Sequence, residues 1–148
     1  MNRADLLAFI RSHKYAVQAS VSAEGKPQAA VVGIAVSDAF EIVFDTLESS
    51  RKAVNLATNA RIAFVIGGTV NGDERTAQYE GVAVRPSGAA REAALALYFS
   101  VFPDGRDRLS WPGITHVHVT PTWIRYSNFN ANPPEIVEFD AAAIATLV

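Results

Sequence analysis

From Tyr15 to Ser22 the sequence alternates, with Tyr15, Val17, Ala19 and Val21 on one face of an extended chain and Gln18, Ser20 and Ser22 on the other. A period of two is the mark of a half-buried strand. Short segments of this kind recur along the chain, and their brevity constrains the fold more than any other feature. After the turn Ala23-Glu24-Gly25-Lys26, Pro27 opens a second strand through Val36, where its missing N–H does least harm. Glu41 to Thr46 makes a third, Arg61 to Ile66 a fourth and Thr76 to Arg85 a fifth. The last two are joined by residues 67–73, whose Asn71-Gly72 pair marks a hairpin tip. Two late strands, Thr115 to Thr120 and Thr122 to Asn128, flank Pro121, which marks a bend or an edge. Val and Ile total 25 against 8 Leu, and β-branched side chains suit a pleated surface better than a helix.

Helices enter only as inserts. An N-terminal helix is expected within residues 1–13, with Asp5 to Ser12 amphipathic; Arg51 to Thr58 and Ala89 to Val101 read as two more, the last capped by Ser87. Short antiparallel strands with few helices predict a mainly β fold, a closed or split barrel with peripheral helices, rather than a doubly wound sheet. The 148 residues form one domain, 1–148, with a C-terminal tail over 131–148 expected to pack as a strap or stay mobile. The absence of cysteine removes disulfide frameworks, zinc ribbons and thiol catalysis together. A net charge of −2 with scattered cations argues against nucleic acid as a partner. No apolar stretch approaches the ~20 residues that span a bilayer, and residues 1–12 lack a secretory core, so the expected place is the cytoplasm and no membrane is involved. Charged residues make up only 19% of the chain, against about 25% in an ordinary soluble domain. Twenty-five alanines account for part of the apolar excess; the rest is surface for a second subunit or a ligand to cover.

The most informative stretch is Phe44-Asp45-Thr46-Leu47-Glu48-Ser49-Ser50-Arg51-Lys52, a strand end running into a helix start. A helix N-terminus presents free N–H groups and partial positive charge to an anion. On spacing alone Ser49 or Ser50 caps the helix while Arg51 and Lys52 are solvated. Cations in a first turn oppose the helix dipole, however, at about 0.3–1 kcal/mol each, and a bound phosphate would reverse that sign.

The succession of the Pro27 strand, Ile42-Val43-Phe44-Asp45-Thr46, Ser50-Arg51-Lys52-Ala53-Val54-Asn55-Leu56, the strand Arg61 to Ile66 and Tyr79-Glu80-Gly81-Val82-Ala83 resembles the pyridoxamine-phosphate-oxidase-like, FMN-binding split barrels. The likeness runs from about Tyr15 to Asn128; Thr-x-x-x-Ser-Arg-Lys is that family's phosphate-binding segment, and a Glu-Gly pair on a following strand accompanies it. The resemblance implies a six-stranded antiparallel split β-barrel, a homodimer, and FMN in a groove between the subunits. It places Thr46, Ser50, Arg51 and Lys52 on the FMN phosphate, Val31 and Val32 along the isoalloxazine and Gln78 near the flavin; Trp111, from its place in the loop after the third helix, is the aromatic expected to approach the ring. Without the family, Val31 and Val32 read as strand core, and Gln78 as a solvent-facing strand residue.

The departures from the pattern carry equal weight. The second strand of the true oxidases bears an Arg and a Lys that touch cofactor phosphate and substrate, and the corresponding positions here are Ala30 and Ala35. The oxidases also end in an Arg-x-His-Asp-Arg-like segment, which nothing after Arg125 supplies. Pyridoxamine phosphate is therefore not the expected substrate. One lost cation should weaken FMN by roughly 1.5–3 kcal/mol while Arg51 and Lys52 keep the site. His116 and His118 share a strand face but lack a third ligand, so they read as surface or interface histidines, and no metal is expected. Arg125 is expected to pair with Glu80 or to reach a neighbouring subunit. The functional expectation is an FMN-dependent oxidoreductase acting on an unidentified small molecule, with no catalytic residue assigned. The alternatives are the same barrel binding the deazaflavin F420 or haem, and a cofactor-free dimeric binding or structural protein.

Overall fold

The structure, a computed structural model, describes residues 1–146. One curled antiparallel sheet dominates it. Its strands are β1 (Tyr15–Val21), β2 (Pro27–Gly33), β3 (Ala35–Val36), β4 (Ile42–Leu47), β5 (Arg61–Gly67), β6 (Arg75–Val84), β7 (Ile114–Asn128) and β8 (Glu135–Asp140). The order across the sheet is β2-β1-β5-β6-β7-β4-β3, with β8 added on β7. β2 and β3 lie at opposite ends of that order yet are consecutive in the chain, joined through Ile34. The sheet therefore has to curl until its ends approach, which makes a split barrel with peripheral helices.

Helix α1 (Arg3–Arg11) is capped by Asn2, whose side chain accepts from the Asp5 N–H at 2.9 Å. α2 (Arg51–Thr58) links β4 to β5, α3 (Gly88–Val101) follows β6 from Ser87, and α4 (Ala141–Thr146) closes the described chain. Residues 103–110 form a run of 3-10 turns before β7. The barrel interior is filled by Phe40, Ile42, Phe44, Phe64, Ile66 and Ile124 among others, with Phe44, Phe64 and Tyr79 meeting edge to face. A second, smaller core forms where α3 lays Ala94, Leu95, Tyr98 and Phe99 over Ala35 and Val43.

The described residues form eight strands, where the sequence pattern marked seven and the resemblance implied six. The segment Pro27 to Val36 is divided at Ile34 because its two halves serve different neighbours, β1 and β4. The late pair is one strand, β7, in which Pro121 is accommodated by a bulge: register slips between Glu80 and Gly81 of β6 as it passes Pro121 and Trp123. Of the two expectations for the tail from 131, the structure shows the packed one, as β8 on β7 followed by α4, and its last positions, 147 and 148, lie outside the described residues. β8 also reassigns Arg125, which sits opposite Glu138 and pairs with it at 3.5 Å rather than with Glu80.

The most consequential finding concerns β1. Its alternation is real, but its polar face is the buried one: Gln18 and Ser20 point inward, while Tyr15 and Val17 are exposed on the outside. An inward polar row and an outward apolar row each need a partner that the barrel core does not supply.

Candidate functional site: the cleft between helix α2 and the β1–β2 edge

Ser50 stands at the N-cap of α2 in extended conformation, its Oγ accepting from the Ala53 N–H at 3.3 Å and lying 2.9 Å from Thr46 Oγ1. The two hydroxyls thus form one polar corner where β4 enters the helix, Thr46 being largely buried. The first turn contains no acid; it contains Arg51, exposed, and Lys52, half-buried. One turn on, Asn55 is buried and donates through Nδ2 to Ser20 Oγ and Gln28 Oε1, both at 3.0 Å. These bonds tie α2 to the inner face of the β1–β2 pair and leave a cleft of about 100 Å³ between them.

The cleft brings Arg51 and Lys52 against Gln18, Ser20, Gln28 and Ala30. Gln18 and Ala30 are directly opposite in register, as are Ser20 and Gln28, so all four side chains share one face. Gln18 is 1% exposed and, among the described residues, its Oε1 has no hydrogen-bond partner. Ala30, by contrast, is exposed on this inner face: its short side chain leaves the cleft open. Gln18, Gln28 and Asn55 were not picked out from the sequence, although the regular placement of Gln18 and Ser20 on one strand face was visible there. That face was not identified as the inner one because nothing local says which side of a strand a helix will cover.

The expected cofactor residues are only partly gathered here. Arg51 and Lys52 line the cleft, while Thr46 and Ser50 form the hydroxyl corner where β4 enters the same helix. Val31 lies on the outer face of β2, 65% exposed, whereas Val32 is in the core. The ladder also separates them. Ile34 N–H donates to Lys14 at 2.9 Å and Ser22 N–H to Lys26 at 3.0 Å, so in an antiparallel pair the even residues of β2 between them, Val32 included, bond to β1. The odd ones, Val31 included, turn their backbone groups to the open edge. Trp111 is half exposed in the turn before β7, where Gly113 accepts from the Glu48 N–H at 2.7 Å; this holds the turn beside the Thr46–Ser50 corner. Gln78 is not brought near: it lies on the outer face of β6, opposite Val65 and Arg125, with β5 and β1 between it and β2.

The histidines are placed differently from expectation. His116 and His118 do share a face, but α3 covers it, and His116 is 5% exposed against Tyr98 and Phe99 rather than at a surface. His118 lies 3.5 Å from Glu41. Among the described residues no group of three or more His, Cys, Asp or Glu is arranged to hold a metal ion. Ala35, at the position where the true oxidases carry a substrate-contacting lysine, is 1% exposed beneath α3.

The family model described as pyridoxamine 5'-phosphate oxidase matches residues 3–128. The chain belongs to this family. Solved structures of similar fold include a heme binding protein from Mycobacterium smegmatis, with a TM-score of 0.83 at 17% identity over 98% of this chain. The chain spans 60% of that protein's length. Two others are HutZ, the heme storage protein of Vibrio cholerae (TM-score 0.70, 16% identity, 82% of this chain and 91% of that one), and a pyridoxamine 5'-phosphate oxidase-related, FMN binding protein of Nostoc punctiforme (0.69, 13%, 93% and 87%). No curated protein matches the sequence. At these identities the likeness is one of fold. Family membership and the Ala30 and Ala35 departures stand together, with Ala35 sealed under α3 and Ala30 opening the cleft.

Proposed function

We propose that this protein is a homodimeric FMN-binding oxidoreductase in which the cleft at the start of α2 takes the flavin phosphate. The observation that carries the reading is the open cleft at the β1–β2 edge that Arg51 and Lys52 line, at the start of the helix that Ser50 caps beside Thr46. The residues fit the group: a dianion meets two cations, two hydroxyls and the free N–H groups of a helix start, where charge and dipole act with the same sign. The open edge at Val31 offers backbone N–H and C=O to the polar rim of a ring. The exposed indole of Trp111 stands at the same end of the barrel. FMN, when bound, supplies hydride or electron transfer to a small molecule; the protein holds the phosphate, aligns the ring along β2 and covers one of its faces.

The second subunit enters through the outer face of the sheet. There Val31, Val17 and Val65 lie side by side in register, with Ala29, Ala19 and Ala63 in the next row, making a continuous apolar strip across β2, β1 and β5. Gln78 and Arg125 continue the Val31 row outward. A dimer through this face takes Gln78 into the subunit contact.

Haem is the second reading, supported by the fold likeness to the Mycobacterium smegmatis and Vibrio cholerae proteins. It ranks lower because a haem on the outer face needs an axial ligand. His116 and His118 lie on the face that α3 covers, and His13, its Nδ1 2.9 Å from the Phe9 carbonyl, has Nε2 packed against Gly67. F420 requires the same phosphate cleft and is separated by titration. The test is the visible spectrum of the purified protein followed by titration of the apo form with FMN, F420 and haem. The expected result is quenching of flavin fluorescence on FMN addition, abolished in Arg51→Ala/Lys52→Ala. Undiminished FMN affinity in that double variant removes the phosphate assignment.

A further inference from the structure

The inner row of the β1–β2 pair contains three polar side chains, Gln18, Ser20 and Gln28, and they are not equally provided for. Asn55 holds Ser20 and Gln28 with one amide. Gln18, one pair further along toward the open end, is the most deeply buried of the three. It packs between Ala16 and Ser20 on its own strand and faces the methyl group of Ala30. A carboxamide shut away from water with its oxygen unpaired bears the full desolvation penalty of that group. A leucine or methionine would fill the same space without it. The cleft that Gln18 lines also contains two cations, and among the described residues neither Arg51 nor Lys52 has a carboxylate within ion-pairing distance.

We propose that Gln18 is a ligand-binding residue of the α2 cleft, its carboxamide donating a hydrogen bond to a phosphate-monoester oxygen held between Arg51 and Lys52. The inference rests on the reading of that cleft as a phosphate site and extends it to a residue on a different element. The free amide has no internal bond to fix its orientation, so a half-turn about the terminal torsion exchanges oxygen and nitrogen and presents NH2 to an oxyanion. Ala30 opposite carries only a methyl group, and Gln18 is among the residues that line the cleft. The size agrees: the cleft, of about 100 Å³, has room for a single phosphate group. A neutral donor here has a functional consequence. It adds directionality without a third positive charge, so the site distinguishes FMN from riboflavin by hydrogen bonding as well as by charge.

The probe is inorganic phosphate added to the full chain, followed by calorimetry and by the side-chain amide resonances of Gln18 in a ¹H–¹⁵N spectrum. The Gln18 NH2 signals should shift with the calorimetric binding curve. Gln18→Met, of similar shape but with no donor, should weaken phosphate by about tenfold or more, as for loss of a hydrogen bond to a charged group. Gln18→Glu, which places a negative charge at the same point, should weaken it further. In parallel, the ratio of FMN to riboflavin affinity should fall in both variants. Stationary Gln18 NH2 signals overturn the proposal without any variant having to fold; so does the absence of phosphate binding to the native protein. If FMN binds and its preference over riboflavin is the same in Gln18→Met, the proposal falls while the flavin reading stands. If phosphate binding depends on Gln18 and no flavin binds, the flavin reading falls and the proposal stands.

Discussion

At the scale of single residues, His116 shows how burial changes the chemistry expected of a side chain. Its ring sits between β7 and the aromatic side chains Tyr98 and Phe99 of α3, with a buried Nε2 that has no partner. Burial lowers its pKa from the ordinary 6.5; Asp45 across the strand pair pulls it up, while Arg91 and Arg108 push it down. Arg108 itself is engaged, donating to Asp45 at 2.7 Å and to Tyr98 at 3.2 Å. With the folded pKa below the unfolded one, the unfolded chain binds the extra proton first. Stability contributed by the neutral ring is therefore complete above pH 6.5 and falls as the pH drops from there toward the folded pKa. Urea unfolding of His116→Gln should show a shallower loss between pH 6.5 and 5 than the native protein; parallel curves would mean that another group sets the acid limb. Asn55 makes a second case. Replacing it with Leu strands Ser20 Oγ and Gln28 Oε1 under α2, and should cost about 1–3 kcal/mol in the same measurement. The His-x-His spacing was readable from the sequence because a period of two fixes which face each side chain takes. The burial of His116 was not, since it depends on a helix that begins 28 residues earlier, at Gly88.

At the scale of elements, the local patterns placed most strands and helices, and the errors fall where one strand serves two neighbours. Pro27 to Val36 has a single strand-like composition, but Ile34 hands it from β1 to β4. Gly33 permits the change, because a Cβ there would lie 2.7 Å from the Phe102 ring. Pro121 read as a break because a proline cannot donate to a ladder; the bulge beside it at Thr122 lets β7 run through instead. The Glu80-Gly81 pair, noticed only as part of a family pattern, has its physical reason at this bulge. A Cβ on Gly81 would come within 2.6 Å of both the Thr120 carbonyl oxygen and Val119 Cγ1. Backbone cannot yield as a side-chain end can, so Gly81→Ala should destabilise by about 1–3 kcal/mol and weaken protection of the β6–β7 amides in hydrogen exchange. Gly72→Ala, at the hairpin tip with open space around it and φ of +85°, should cost through backbone strain alone and leave β6–β7 protection in place. Equal loss of protection in the two variants would argue against a steric role for Gly81.

At the scale of the whole molecule, the shortage of charge becomes a matter of geometry. Composition could not divide harmless alanine from surface awaiting a partner. The fold places part of the apolar excess in a strip on the outer sheet face, where Val31 and Tyr15 are 65% and 64% exposed and Val17 and Val65 lie between their neighbours in register. The same face has a shallow hollow of about 530 Å³ lined by Ala19, Ala63 and Val82, closed at its rim by Arg61 and Glu80. A sheet face of this kind is costly in water and suits a second copy related by a two-fold axis, since the same patch then covers itself. Val17→Asp/Val65→Asp places two carboxylates in the middle of the strip without touching the core or the α2 cleft. Light scattering should show a dimer for the native chain and a monomer for this variant, with unfolding still cooperative. Because the flavin ring is proposed to lie between subunits while its phosphate is held within one, the variant should keep inorganic phosphate binding near the native value and lose most of its FMN affinity. A native monomer, or a monomeric variant with undiminished FMN affinity, would separate the cofactor from the subunit contact and place the whole flavin within one chain.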